Sequence, residues 1–545
     1  MRLSDSTVAE AADAVKRPGY DRTALSPGIA HIGVGNFHRA HQALVIDELV
    51  AAGLASDWGI LGIAMLAGDE PLARGMQGQD GLYALVEKHS DGTWDYRIIG
   101  SIHDVLFAPE DPGAAVEALT DPRIRIVSLT ITEGGYNFDR LTGEFMLDTP
   151  AVAADVSSDG PPSTVFGLVC AALQARRDKG IPAFTVMSCD NIQHNGDVAK
   201  EMFTAFARAK DPELADWIHD NVTFPNSMVD RITPVTTDED RSTVSAAIGL
   251  QDECPVLCEP FFQWVVEDNF PSGRPPWEQA RVQVTSDVSP YEKMKLRLLN
   301  ASHQGLAYFA YLLGYRYVHD AAQDPLIATF LRRYMDEEAT PTLDPVPGVD
   351  LDAYKAELID RFANPEVRDT VARLAAESSD RIPKWLLPVV RERLAQGGSV
   401  AMSAAIVASW ARYAEGIDEH GEVIDVVDPL REELIPIARS QAANPVAFVE
   451  NRSLFGDLVD DAHFRGPYLE VLGRLHQDAL PRRFDKGSRR EPLDVAQREW
   501  LRLGARNGAR GGAPGPAARP GAVVPRVSRN RPALRAGPFF RTLPG

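Results

Sequence analysis

Ile29-Ala30-His31-Ile32-Gly33-Val34-Gly35-Asn36-Phe37-His38-Arg39 is the stretch on which the fold turns. A short apolar run ends in two glycines one residue apart, and an amphipathic helical pattern from Arg39 to Ala52 follows at once. Such a strand, turn and helix lets backbone amides approach a pyrophosphate at the helix N-terminus. His38 stands where a GxGxxG motif has its third glycine, so the loop alone is also compatible with an ordinary βα turn. Context strengthens the nucleotide reading. Ile60 to Met65 reads as a second strand, and Asp69 stands at its end. A carboxylate there accepts hydrogen bonds from ribose hydroxyls and repels a 2′-phosphate, which favours NAD over NADP. The positions expected around the dinucleotide are Ile32, Gly33, Val34, Gly35, Asn36, Phe37, His38, Arg39 and Asp69, with Glu133 beyond a later strand.

Working outward, Ile124 to Thr132 and Ile181 to Ser188 read as two more strands. Strands separated by helices argue for a parallel sheet covered on both faces, an α/β Rossmann-type arrangement. In such sheets ligands bind beyond the carboxyl ends of the strands. Two polar clusters fall there, Glu133-Gly134-Gly135-Tyr136 and Cys189-Asp190-Asn191-Ile192-Gln193-His194-Asn195-Gly196. Asn191 is the better candidate of the second cluster, whereas Asn195-Gly196 reads as turn chemistry. From Ser289 onward the period becomes helical. The expected division is a nucleotide domain over residues 1–285, a mainly α-helical C-terminal domain over 286–485, and a tail over 486–545.

The chain has 545 residues, 44% hydrophobic and 24% charged, which allows a sizeable core. Its formal charge of −21 works against nucleic-acid and anionic-lipid binding. The last 45 residues differ, with nine arginines, eight glycines, seven prolines and no acidic residue, a composition expected to stay disordered. Four cysteines in so long a chain do not form a disulfide scaffold. No basic and apolar leader and no apolar run of about 18 residues is seen, so a cytoplasmic location is expected. With no conspicuous apolar seam, a monomer is expected.

The strongest chemical signal is Ser289-Pro290-Tyr291-Glu292-Lys293-Met294-Lys295-Leu296-Arg297-Leu298-Leu299-Asn300-Ala301-Ser302-His303. Ser289 and Glu292 have the spacing of a capping box, and Pro290 suits a first helical turn. At about 100° per residue, His303 lies roughly 80° around from Lys295 and Asn300 roughly 60° beyond it, so the three share one broad face. Polar groups on the inward side of an apolar helix incur a desolvation cost and need a reason. Alcohol oxidation by hydride transfer supplies one: a lysine of lowered pKa takes the hydroxyl proton, and neutral amides stabilise the developing oxygen charge.

Two patterns are set aside. Tyr291 and Lys295 form a YxxxK, but short-chain dehydrogenases carry that pair on the nucleotide domain itself. Cys254-Pro255-Val256-Leu257-Cys258 lacks the four ligands of a structural zinc site, so the chemistry is expected to need no metal.

IAHIGVGNFHRAHQA, IRIVSLTITEGGY, IPAFTVMSCDNIQHNG, FPNSMVDRITP, VLCEPFFQWVVED and YEKMKLRLLNASH together resemble the polyol-specific long-chain dehydrogenases, the mannitol dehydrogenase family. The resemblance runs from about Gly28 to about residue 480. It implies a metal-independent NAD enzyme that interconverts D-mannitol and D-fructose. By the same resemblance Lys295 matches the general base, Asn191 and Asn300 the amides on the reacting oxygen, and His303 a substrate-orienting group. Asp230 matches a residue binding substrate hydroxyls, and Arg373 a further polar contact. Where the family pattern reads SSKFPK, this chain has Ser378-Ser379-Asp380-Arg381-Ile382-Pro383-Lys384, with Arg381 in place of a lysine. Hexuronates such as fructuronate or tagaturonate are the alternative substrates, with Arg373, Arg381 or Lys384 meeting the carboxylate. D-arabinitol, D-sorbitol and a non-catalytic NAD sensor are the others.

Overall fold

Pro27–Ile32 forms the first strand, β1, with Ile29 buried in one core and Ala30 and Ile32 in another. A strand covered on both sides carries a continuous apolar run rather than an alternation. The second strand, β2 (Gly59–Ala64), is likewise buried at all six positions. The computed structural model describes residues 1–477 except 140, 141, 159 and 420. The arginine-rich tail expected from 486, and the end of the helical domain expected at 485, lie outside the described residues.

Five strands make the main sheet: β1, β2, β5 (Ile102–Phe107), β6 (Ile126–Leu129) and β7 (Thr185–Ser188). Their order is β5-β2-β1-β6-β7 and every pairing is parallel. The chain winds outward from β1 through β2 to β5, then returns to β1's other side. The reversal falls between β1 and β6, the point at which open α/β sheets bind ligands beyond the strands' carboxyl ends. The expected Rossmann-type sheet is therefore present. Two small sheets flank it. One is β4-β3-β9, from Trp94–Ile99 (β4), Tyr83–Lys88 (β3) and Val256–Cys258 (β9). The other is β11-β10-β8, from Gln283–Thr285 (β11), Gln263–Glu267 (β10) and Ser227–Asp230 (β8).

Three local expectations are corrected. The run Ile124 to Thr132 is extended only over β6, because the Asp190 carboxylate accepts from the amides of Ile131 (3.1 Å) and Thr132 (2.8 Å), and the chain turns helical from Thr132. The strand expected from Ile181 begins only at Thr185. The helix expected from Arg39 to Ala52 is two helices, Asn36–Ala40 and Gln42–Ala51. At the break, the His41 ring stacks between Phe37 and Phe262 and meets the Gln263 carbonyl at 3.0 Å.

β11 ends at Thr285 and the helix carrying the lysine motif begins at Ser289. Tyr291, Met294 and Leu298 pack in one core with Met228 of β8 and Val265 of β10, so the helical half grips the β8 sheet directly. The capping box does not form. Val288 is the cap residue, and Glu292 turns its carboxylate to the amide of His194 instead (3.1 and 3.3 Å). Pro290 does sit in the first turn. The motif then departs from α geometry: Lys295–Asn300 is a π turn between the helices Ser289–Met294 and Ala301–Leu312.

A second π turn, Tyr334–Ala339, carries the fully buried Glu338. Glu338 accepts from the amides of Met402 and Ser403 (both 2.8 Å) and from the Ser403 hydroxyl (2.5 Å), which caps the helix Ala401–Tyr413. No helix among the described residues is long and apolar enough to cross a membrane.

Candidate active site

The loop after β1 is built around two different glycines. Gly33 has φ +99°, and a Cβ there would lie 2.1 Å from the Thr130 carbonyl oxygen, so no other residue fits. At Gly35 an added Cβ would meet nothing nearer than 4.0 Å. Gly35 is exposed and leaves the loop surface open to a close-approaching ligand. The fit to a dinucleotide rests on this open face at the sheet's reversal point. Asn36 and Phe37 are half-buried beside it, and the Asn36 amide donates to the Pro234 carbonyl (3.1 Å).

Other residues expected to hold the cofactor brace the loop from behind. Ile32 and Val34 are core residues. The buried Arg39 guanidinium donates to Val34 O (3.2 Å), Asn36 Oδ1 (2.8 Å) and the Cys254 carbonyl. His38 stacks on His31 with ring centroids 3.4 Å apart. The His31 ring reaches Ser128 Oγ (2.8 Å) and Thr130 Oγ1 (2.9 Å), and burial pushes its pKa down to about 3. Asp69 follows β2 and accepts from the Leu66 amide through Oδ2 (3.0 Å). Glu133 lies half-buried in the short helix Thr132–Gly135 after β6.

Lys295 is buried at the first position of the π turn. Its Nζ donates to Asn191 Oδ1 (2.5 Å) and to the Val229 carbonyl (2.7 Å). Asn191 thus accepts through its oxygen and keeps its NH₂ group for another partner. Burial lowers the Lys295 pKa, against Asp230, which raises it, and with Arg361, which lowers it. Lys295 and Asn191 line a cleft with Asp190, Ser227, Val229 and Glu292. Asn300 is buried, and its amide makes no hydrogen bond among the described residues. In an α-helix Asn300 would stand about 140° from Lys295; the i→i+5 pattern of a π turn stacks residues five apart on one side. The His303 ring packs on Phe362, centroids 4.6 Å apart, and burial pushes its pKa down to about 3.

Asp230 is held by a neighbouring arginine. Arg361 donates to both its oxygens (2.8 and 3.1 Å) and to both oxygens of Glu259 (2.7 and 2.9 Å). The other expected substrate residues have partners as well. Arg373 is clamped by Asp369, Lys384 pairs with Asp380 (2.8 Å), and Arg381 donates to the carbonyls of Arg373 (3.1 Å) and Leu374 (3.2 Å).

Three charged residues in this region have no chemical role in the sequence reading. Glu292 lines the cleft one helical turn before Lys295, and burial raises its pKa to about 7. That three-residue spacing was a usable signal. Arg361 and Glu259 had none, since they meet only through the fold. The set-aside patterns are structural: the Tyr291 hydroxyl donates to Pro347 O (2.8 Å), and Cys254 and Cys258 are buried free thiols whose pKa burial raises to about 12.

Family models for the mannitol dehydrogenase Rossmann domain and the mannitol dehydrogenase C-terminal domain match residues 27–279 and 287–470. A mannitol 2-dehydrogenase of Phaeosphaeria nodorum is 43% identical over 85% of this chain and 81% of its own. A mannitol dehydrogenase of Saccharomyces cerevisiae is 43% identical over 82% of this chain and 89% of its own. The structure of Pseudomonas fluorescens mannitol 2-dehydrogenase in ternary complex with NAD and D-mannitol superposes with a TM-score of 0.79 at 43% identity, covering 88% of this chain and 98% of that one. A substrate-free D-sorbitol dehydrogenase gives a TM-score of 0.82 at 38% identity, covering 88% and 99%.

Proposed function

Since the chain belongs to the mannitol dehydrogenase family, we propose that it interconverts D-mannitol and D-fructose with NAD, Lys295 carrying the proton. It is an oxidoreductase acting on a CH–OH group. The observation that carries the lysine mechanism is the buried Lys295 Nζ, held by Asn191 Oδ1 and Val229 O at the edge of a cleft. Its lowered pKa makes the neutral amine available as a base nearer to neutral pH.

In the oxidative direction Lys295 takes the C2 hydroxyl proton as the carbon–oxygen double bond forms. NAD supplies the hydride acceptor: the C2 hydrogen leaves with its electron pair. Asn191 and Asn300 turn their NH₂ groups to the oxygen while negative charge develops on it. In reduction the protonated Lys295 returns its proton to the fructose oxygen. Oxidation therefore rises with pH as Lys295 deprotonates, and reduction falls. Asp230, fixed by Arg361, presents acceptors for substrate hydroxyls.

A neutral polyol suits the site better than a hexuronate. Arg373, Arg381 and Lys384 are each engaged by protein acceptors, so none stands ready for a substrate carboxylate. The likeness to a D-sorbitol dehydrogenase makes D-sorbitol the second substrate to test. The decisive assay follows NADH oxidation with D-fructose or D-fructuronate, and NAD reduction with D-mannitol, D-sorbitol or D-arabinitol, each with and without a chelator. Fructose and mannitol turnover that survives the chelator is the expected result. Turnover of fructuronate alone overturns the substrate, and turnover of none of them points first to other polyols and then to a protein that binds NAD without catalysis.

A further inference from the structure

Arg361 stands in the last turn of the helix Leu351–Phe362, and its side chain is 5% exposed. One guanidinium binds all four oxygens of Asp230 and Glu259, and it lies over the Phe261 ring, 3.7 Å from its centroid. Asp230 follows Val229, whose carbonyl accepts from Lys295. The same helix end is anchored to the nucleotide half. Asn364 donates to the Lys88 carbonyl (3.1 Å), and Trp94 donates to Glu366 (2.8 Å). Phe362, the next residue, supports His303.

We propose that Arg361 is a positioning residue that sets the proton affinity of Lys295 by holding the Asp230 carboxylate away from it. The inference rests on Lys295 being the base. Among the described residues no carboxylate comes within 4.0 Å of Lys295 Nζ, although Asp230 is close enough to favour its protonated form. Asp230 does not pair with the ammonium because both its oxygens are held by Arg361, whose own charge opposes a second cation nearby. Glu259 takes a share of the same guanidinium and also accepts from the Ile232 amide (2.7 Å). Lys295, Arg361, Asp230 and Glu259 together are neutral when the lysine is protonated and carry one negative charge when it is not. Removing the arginine frees Asp230 to pair with the ammonium and deepens the negative field; removing Glu259 makes the field less negative. Other titratable groups about the lysine are Glu292 on its own helix, His194 bonded to Glu292, His41 and His303.

The test measures kcat/KM for D-mannitol oxidation against pH in the full-length wild-type enzyme, Arg361→Met, Arg361→Lys and Glu259→Gln, with Lys295→Ala as the reference. In Arg361→Met the rising limb moves to higher pH by about one unit or more, and Arg361→Lys returns most of the way to wild type. In Glu259→Gln the limb moves the other way. NADH affinity, read by fluorescence, stays within about twofold of wild type. A purely structural arginine would lower activity without these opposed shifts. A folded Arg361→Met whose limb stays in place overturns the proposal. Should that variant fail to fold, an unmoved or upward-moving limb in Glu259→Gln does so. If Lys295→Ala keeps near-normal turnover, the lysine reading itself fails and this proposal with it. An inactive Lys295→Ala beside an unmoved Arg361→Met limb removes the positioning role alone.

Discussion

The two π turns each bury an ionisable side chain and use it in opposite ways. At Tyr334–Ala339, Glu338 accepts three hydrogen bonds from Met402 and Ser403 and faces no opening. At Lys295–Asn300, Lys295 bonds to two acceptors at the wall of a cleft, and Asn300 beside it has no bond within the described protein. A π turn and a buried charge are thus not a site in themselves. What separates the two is hydrogen-bonding capacity left over where a small molecule can reach it. The first turn fastens one helix to another, and the second, on the proposed reading, keeps donors for a substrate.

The largest effect that would sharpen this contrast is on turnover. Lys295→Ala is expected to lower kcat for D-mannitol by about 10²–10⁴-fold with little loss of thermal stability, as steady-state kinetics and calorimetry would show. Asn300→Ala is expected to cost about 10²–10³-fold in kcat, since it removes one donor to the developing oxygen charge. Glu338→Ala should do the reverse. It leaves buried donors unpaired, costs about 1–3 kcal/mol in denaturant unfolding, and leaves kcat per folded molecule unchanged. Glu338→Ala with full stability, or Lys295→Ala with full turnover, would erase the distinction.

A smaller effect separates the two turns by pH. Burial raises the Glu338 pKa from 4.5 to about 7, so the folded state favours its protonated form. Its contribution to stability is complete below pH 4.5 and is lost as pH rises through about 7. Glu338→Gln should flatten Tm across that window relative to wild type. Glu292 titrates over the same range with the same sign, so the difference between the two profiles isolates Glu338. The smallest effect expected is that of Arg381→Lys. Arg381 bonds to two main-chain carbonyls and lies over the Trp385 ring, so the change should raise KM by no more than about threefold at unchanged kcat.

How much of this was legible depended on whether a role is local in sequence. The glycine loop declares itself because Gly33 and Gly35 act through their own backbone, and the parallel sheet follows from runs such as β2 that are apolar throughout. Lys295, Asn300 and His303 stand out because one short segment carries them. The register between them did not follow, since nothing local marks the switch from α to π geometry. Ser289 and Glu292 show the opposite failure. Their spacing satisfies a capping box, but the cleft wall gives the Glu292 carboxylate another partner in the His194 amide. Arg39 and His38 have the right positions for cofactor contact yet turn inward, because the short helix Asn36–Ala40 that carries them packs against the β9 segment. Arg361 was beyond reach. A single arginine in an amphipathic helix reads as surface charge, and its partners lie 102 and 131 positions away.

The Val229 carbonyl beside Lys295 has a stereochemical consequence. A protonated amine nitrogen has four tetrahedral directions. One belongs to its own carbon, one points to Asn191 Oδ1, and one points to Val229 O. On the proposed reading an alcohol oxygen arrives along the fourth, which narrows the poses in which its carbon can face the nicotinamide. The mirror-image alcohol brings its hydrogen to the wrong face. Handedness is then set partly by a main-chain atom that no side-chain replacement can delete. Variants with altered sugar preference should therefore keep the chirality of their product.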